Sequence, residues 1–291
     1  MTEPALPHPA DLPHYEVYAL KYGQRPARRA EHFVGGDPHD EPMDMDYFVW
    51  AIVDPGRVDV GGADPAGAGP GSPRAWVVDT GFEESDGTAR RRTTVRSVTE
   101  ALSTVGVAAA DVADVVITHL HYDHIGGHAE FPRASFHLQD AEMAFATGRY
   151  MTHKLFSHAF TVSQIQDLVG LVFDQRVTFH DGGGDLAPGI SLHHVGGHTM
   201  GLQVVRVHTA AGWLVLASDA AHYYEHLGRG RAFTTVFNVG DMLEGHRRCK
   251  AMASAPWMVI PGHDPRVLER HPAAGPGLEG VAARVDLPPV G

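Results

Sequence analysis

Apolar and polar positions alternate along the 291-residue chain with two different periods. Short runs rich in Val, Ile and aromatic residues recur at 15–22, 47–53, 75–78, 111–118, 134–138, 177–180, 190–195, 202–208, 213–218 and 257–260, the enrichment that predicts strands. Helical spacing appears instead at Val95, Val98, Leu102 and Val105, with Gly106 placed to end a helix over 94–105, and helices are also predicted at 139–146 and 241–253. Residues 150–173 mix aromatics, Met and His with a helical period in Ile165, Leu168, Val169 and Val172, which predicts a helical cap over a pocket. The Gly/Pro/Ala-rich stretch 54–74 predicts a long mobile hairpin connection. The Pro/Gly-rich residues 272–291 predict a flexible tail. Strands cluster in both halves with helices between them and no break in composition, so the expectation is one α/β domain over 1–271 built on two sheets.

Composition narrows the partners. A hydrophobic content of 43% permits a large core, and 35 Asp and Glu against 23 Lys and Arg give a formal net charge of −12. No broad positive field is available to hold nucleic acid or an anionic membrane surface. No run approaches the roughly 20 apolar residues of a membrane helix. Residues 1–13 lack a basic segment followed by an apolar core, and the single Cys249 excludes a disulfide framework, so a reduced cytoplasmic setting is expected. Cys249 lies beside Arg247, Arg248 and Lys250 but has no base placed next to it and reads as an inert thiol. Arg90-Arg91-Arg92 reads most simply as a solvated helix start, with carboxylate binding as the alternative.

The chemistry lies in 21 histidines and where some of them fall. The run 115–117 leads into His119-Leu120-His121-Tyr122-Asp123-His124 and then Gly126-Gly127. Four other strands end in the same manner, at Asp79-Thr80-Gly81, at Gly197-His198-Thr199, at Asp219 and at Gly262-His263. Each delivers a ligand or an orienting acid to what could be one shared edge. This ordered set resembles the metal signature of the metallo-β-lactamase fold superfamily over residues 75–263. The resemblance implies an αββα sandwich of two mixed β-sheets flanked by helices. It further implies that His119, His121 and His198 bind one metal, that Asp123, His124 and His263 bind a second, that Asp219 bridges them, and that Asp79 orients ligands from behind. Two divalent ions are expected, with Zn²⁺ the default and Fe, Mn or Co compatible with all-N/O ligation. The remaining histidines, His39, His128, His153, His158, His193, His194 and His208 among them, read as surface or hydrogen-bonded packing.

Two adjacent ions lower the pKa of a bridging water from 15.7 towards about 7 and polarise a carbonyl, which is machinery for hydrolysis. The stretch Asp219-Ala220-Ala221-His222-Tyr223-Tyr224-Glu225 resembles that of N-acyl homoserine lactonases and related quorum-quenching lactonases, where a tyrosine shortly after the bridging acid assists ring opening. His222 stands at the position those enzymes usually give to the tyrosine and Tyr223 follows it, so both are candidates for the acid, with Asp123 also in the catalytic set. The implied substrate is an acyl homoserine lactone or a related small lactone or ester, opened by a monomer or homodimer. A glyoxalase II-type thioester hydrolase and a non-catalytic metal-binding sensor are the rival readings. A β-lactamase is disfavoured by Asp219 where many of those enzymes carry cysteine. Apolar residues at 43–50, 151–160 and 233–237 could line an acyl-chain pocket, although stripes of this kind more often belong to the core.

Overall fold

The computed structural model describes residues 12–58 and 73–290. Strands β1 (Glu16–Arg25), β2 (Met45–Val58), β3 (Pro73–Val78), β4 (Thr93–Thr94), β5 (Asp114–Val116), β6 (Ser135–Gln139) and β7 (Val177–His180) belong to one sheet. Strands β8 (Gly183–Ala187), β9 (Ile190–His194), β10 (Gln203–Thr209), β11 (Gly212–Ser218) and β12 (Val259–Pro261) form a second, and β13 (Ala282–Arg284) returns to the first. The orders are β13-β1-β2-β3-β5-β6-β7, with β4 also paired to β1, and β12-β11-β10-β9-β8. Both sheets are mixed: β3, β5, β6 and β7 run parallel and β1 to β3 antiparallel, while β11 pairs parallel with β12 and antiparallel with β10.

Side-chain alternation explains the unbroken apolar run in β2. Phe48, Trp50 and Ile52 enter the core between the sheets, where they join Trp76, Val78, Leu192, Val205 and Leu216. Their neighbours Tyr47, Val49, Ala51 and Val53 point the other way, into a core that the helices cover with Leu102, Ile125 and Phe145. A strand buried on both faces carries no polar face. The same split holds for β11, where Leu214 and Leu216 face the first sheet and Val215 and Ala217 pack under the helix Val239–Met252.

Several expectations need adjustment. The helix foreseen over 94–105 is confined to Val98–Ser103, opened by a Ser97–Glu100 capping box, because Thr93 and Thr94 are drawn into pairing with β1. Arg90 to Arg92 follow the helix Glu84–Ala89 rather than starting one. Strand β8 escaped notice because its Gly183-Gly184 start has little strand propensity. The connection at 54–74 lies largely outside the described residues, as does residue 1–11 of the N-terminus, but β2 and β3 on its two sides do pair antiparallel. The cap is helical, comprising Arg149–Thr152, Lys154–Ser157 and Val162–Phe173.

The flexible tail is a correction. β13 pairs with β1 through Leu20 and Ala282, Val285 is fully buried between the sheets, and Asp286 accepts the Val17 N–H at 3.1 Å. Its Pro and Gly punctuate a path back across the sheet edge. Removing residues 272–291 should therefore lower stability by about 3 kcal/mol or more, from the lost Val285 burial and the uncovered β1 edge. Thermal melting of the truncated chain measures this, and an unchanged midpoint would show that β13 contributes nothing.

Candidate metal centre

Strand ends supply the site. β5 passes through Ile117 and Thr118 into His119 and the short helix Tyr122–Ile125; β9 leads to His198, β11 to Asp219 and β12 to His263. All seven predicted ligands are buried, and they converge at one edge of the sandwich. His119, His121 and His198 form one group, Asp123, His124 and His263 another, and Asp219 joins His119 and His124. Asp79 adopts a left-handed backbone at φ 62° and Ser218 at φ 44°, so the chain bends sharply as β3 and β11 reach the site. Gly262 is required where β12 passes Asp219, since a Cβ there would lie 2.6 Å from Oδ1.

Hydrogen bonds on the outer side of the rings set their tautomers. His198 Nδ1 donates to the Thr235 carbonyl at 2.6 Å, His263 Nδ1 to the Asp46 carbonyl at 2.8 Å and His124 Nδ1 to Asp79 Oδ2 at 2.8 Å. Thr118 gives its own proton to Asp79 and accepts from His119 Nδ1 at 3.2 Å. The Nε2 atoms of His119, His124, His198 and His263 are thereby left as lone pairs turned inward. His119 Nε2 and His198 Nε2 stand 3.1 Å apart, and each is within 3.1 Å of His121 Nδ1.

Bare nitrogens at these separations repel one another unless a cation lies between them. Zn–N bonds of about 2.0–2.1 Å would set tetrahedral neighbours about 3.3–3.4 Å apart, close to what is observed. His124 Nε2 and Asp219 Oδ1 are buried without any hydrogen-bond partner, and Asp219 Oδ1 is 3.0 Å from the bare His263 Nε2. The donor set and its unpartnered atoms therefore suit divalent cations.

Electrostatics agree. Burial pushes His119, His121 and His198 below the usual imidazole range, which keeps them neutral, as ligands must be. At His124 burial acts in the same sense, but Asp79, Asp219 and Asp123 outweigh it and hold the ring well above that range; at His263 burial is outweighed by Asp219 and Asp123. This acidic field stabilises positive charge at the ring nitrogens, so proton and metal ion compete for the same place. For Asp219 burial opposes ionisation, yet His263, His222 and His124 together keep the carboxylate well below its ordinary value.

A cavity of about 110 Å³ opens over the centre, lined by His121, Asp123, His198, Asp219, His222 and His263 on its floor. The two candidate acids separate here. His222 stacks on Phe233 at 3.6 Å and bonds through Nε2 to Asp219 Oδ2 at 3.0 Å, with Nδ1 buried and unpartnered. Tyr223 turns away from this cavity, and its hydroxyl bonds to His32 Nε2 at 3.1 Å and to the backbone of Met43 and Asp44. The turn at Tyr223, which caps the helix Tyr224–Arg229, sends adjacent side chains in opposite directions.

Most of the apolar residues foreseen as an acyl-chain pocket are absorbed elsewhere. Phe48 and Trp50 fill the sandwich core, and Tyr150 and Phe156 of the 149–173 helices pack with Phe145, Phe160 and Phe237 in one cluster of ring contacts. Phe160 also meets the His121 ring edge-on at 4.7 Å, which rests the cap on the metal centre. Of the other histidines, His158 lines the cavity and His128 bonds to the Ile125 carbonyl. Glu142, which drew no notice in the sequence, is fully buried and accepts the N–H groups of Leu120 and Gly201 at 2.9 Å each, tying the loop of His119 and His121 to that of His198.

Known proteins resemble the chain in sequence and in fold. The human metallo-beta-lactamase domain-containing protein 1 is 30% identical over 193 residues, 66% of this chain and 62% of that protein. The chain thus spans about three-fifths of that relative's length. The N-acyl homoserine lactonase AiiB of Agrobacterium fabrum is 32% identical over 141 residues, 44% of this chain and 48% of that one. Among solved structures, a quorum-quenching N-acyl homoserine lactone lactonase superposes with a TM-score of 0.66 at 19% identity, covering 87% of this chain and 94% of the other. The dizinc quorum-quenching lactonase AidC gives 0.62 at 18%, covering 87% and 88%. Residues 74–263 match the Metallo-beta-lactamase superfamily, the interval that holds every one of these strand-end histidines and aspartates, and the chain belongs to that superfamily.

Proposed function

We propose that the protein is a dinuclear metallohydrolase that opens a small lactone, with His119, His121 and His198 holding one ion, Asp123, His124 and His263 the other, and Asp219 shared. The observation that carries this reading is the division of Asp219 between the two groups: Oδ2 lies 3.2 Å from His198 Nε2 while Oδ1 lies 3.0 Å from His263 Nε2. Zinc is the first choice of metal, on the chemistry of the donors and the dizinc state of a structural relative. The lactone is favoured because relatives matched in sequence and in structure are lactonases by name.

Bound in this set, divalent ions supply a water deprotonated at neutral pH and an electrophile for the carbonyl oxygen. The protein's own groups do the rest. Asp79 and the Thr235 and Asp46 carbonyls fix the orientation and tautomer of the ligand rings. Burial keeps His222 neutral, and of the two candidate acids it is the one that lines the cavity, so it is assigned the transfer of the attacking water's proton to the departing alkoxide.

A panel of lactones of different chain length, thioesters and a β-lactam, assayed with protein of measured metal content, tests the reading. The expected outcome is two metals per chain with fastest turnover on a lactone. His222→Ala should lower kcat about 10²- to 10⁴-fold with both metals retained. Full metal loading with thioesters preferred, or with no turnover of any substrate, would reject the lactonase assignment.

A further inference from the structure

The chain has a formal net charge of −12, yet the cavity at the candidate metal centre is also lined by three arginines, Arg25, Arg90 and Arg92, together with Tyr47 and Tyr122. Their structural commitments differ. Arg90 is fully engaged: it lies 4.1 Å from the Tyr122 ring centre, reaches the carbonyls of His158 and Phe160, and so fastens the cap. Arg25 pairs through Nη1 with the half-exposed Glu31 at 3.0 Å, while its Nε is buried without a partner.

Arg92 is the informative one. It is partly buried at the wall of the cavity, its Nε donates to the Tyr122 hydroxyl at 3.0 Å and its Nη1 to the Arg90 carbonyl at 2.6 Å. Among the described residues no carboxylate comes within 4.0 Å of it, although Asp123 lines the same cavity. Two of its five N–H groups are used. A positive fork held by a phenol and a backbone carbonyl, with its charge unpaired, is built to receive an anion in a planar, two-point contact. The cavity itself, about 110 Å³, is well below the roughly 300–1,000 Å³ of pockets for drug-sized ligands, and the aromatic residues that could have enlarged it pack on one another instead.

We propose that the substrate is a small lactone carrying an anionic group, a carboxylate or a phosphate, which Arg92 grips with support from Arg25 while the ring carbonyl faces the His and Asp floor. This rests on the hydrolase reading above and adds a substrate class to it. A long neutral acyl chain would meet mostly charged and polar side chains in this lining, with Met45 and Ala159 its aliphatic members, whereas a negative charge offsets the guanidinium of Arg92.

Three γ-butyrolactones substituted at the ring carbon next to oxygen test this with the metal-loaded protein: the 5-carboxylate, the 5-phosphooxymethyl compound and the 5-carboxylate methyl ester. At least one anionic lactone should exceed the neutral ester about 10-fold or more in kcat/KM, and which of the two does so identifies the anion. Arg92→Ala should raise KM for that lactone about 10- to 100-fold and bring the ratio close to one, while Arg92→Lys, the variant to use if the alanine protein does not fold, should keep the charge and lose most of the preference with the fork. Equal or better turnover of the ester, or a preference that neither variant changes, overturns the proposal and leaves the lactonase reading intact. Calorimetric titration separates the remaining cases. Without turnover of any lactone, Arg92-dependent binding of an anionic lactone over the ester upholds the anion site and rejects lactone hydrolysis. Equal binding of all three rejects both.

Discussion

Asp219→Ala is expected to strip metal from the protein and to abolish hydrolysis in one step. The carboxylate stands within 3.8 Å of His119 and 3.6 Å of His124, and nearer still to His198, His222 and His263, so it is the one anion common to both ligand groups. On the dinuclear reading proposed above, two cations without it would repel across a centre that has lost its shared negative charge. Loss of an outer partner of a metal ligand alone typically costs 10- to 100-fold in affinity or activity. Removal of the shared ligand should exceed that, with turnover falling by more than about 10³-fold. Elemental analysis after dialysis, alongside turnover of the best lactone, measures both effects. Two metals retained with normal turnover would sink the assignment of Asp219 as the shared ligand, whereas one metal retained with low turnover would show that one group binds without the shared carboxylate.

What could be read from the sequence, and what could not, follows from the range of the interactions. The fold was legible because the strands are buried on both faces, leaving runs such as 47–53 with no polar interruption, and because ligands follow strands at once, as at 117–119 and 260–263. Neighbours in sequence must end at the same edge when the strands that carry them are aligned. The failures are tertiary. His222 and Tyr223 have the same context in the chain, and only the turn before the helix Tyr224–Arg229 decides that one meets Asp219 and the other His32, 191 residues away. The tail has the composition of a disordered segment, but its partner strand begins at residue 16, a pairing that no local pattern announces. For Arg90 to Arg92 the sequence offered a solvated role and a carboxylate-binding one without choosing among the three, and the Tyr122 contact and the cavity single out Arg92.

Glu142 is the sharpest instance, and it supports the second large prediction. It sits on the helix Asp140–Ala146 with the unremarkable pattern of an acid in a first turn, where a carboxylate is favoured on general grounds. Its real role is to accept two backbone N–H groups 22 and 59 residues away, between the loops that carry three of the candidate metal ligands, His119, His121 and His198. Gly201 allows that approach, since a Cβ there would fall 2.1 Å from the Glu142 nitrogen. Burial raises the Glu142 carboxyl above its ordinary range, and the N–H donors of Leu120 and Gly201 and the Thr199 hydroxyl act against that rise. Glu142→Ala should leave two buried N–H groups without acceptors, each costing about 1–3 kcal/mol, so that stability falls by roughly 2–6 kcal/mol. The two loops would then drift apart, and metal affinity should fall along with the melting temperature even though no ligand has been touched. Glu142→Gln separates the contributions, because its single carbonyl oxygen can serve only one of the two N–H groups well. It should recover about half of the lost stability and bind metal with intermediate affinity, as read by thermal melting with and without excess zinc. A protein with Glu142→Ala that melts and binds metal like the parent would show that the loops hold their positions without this carboxylate.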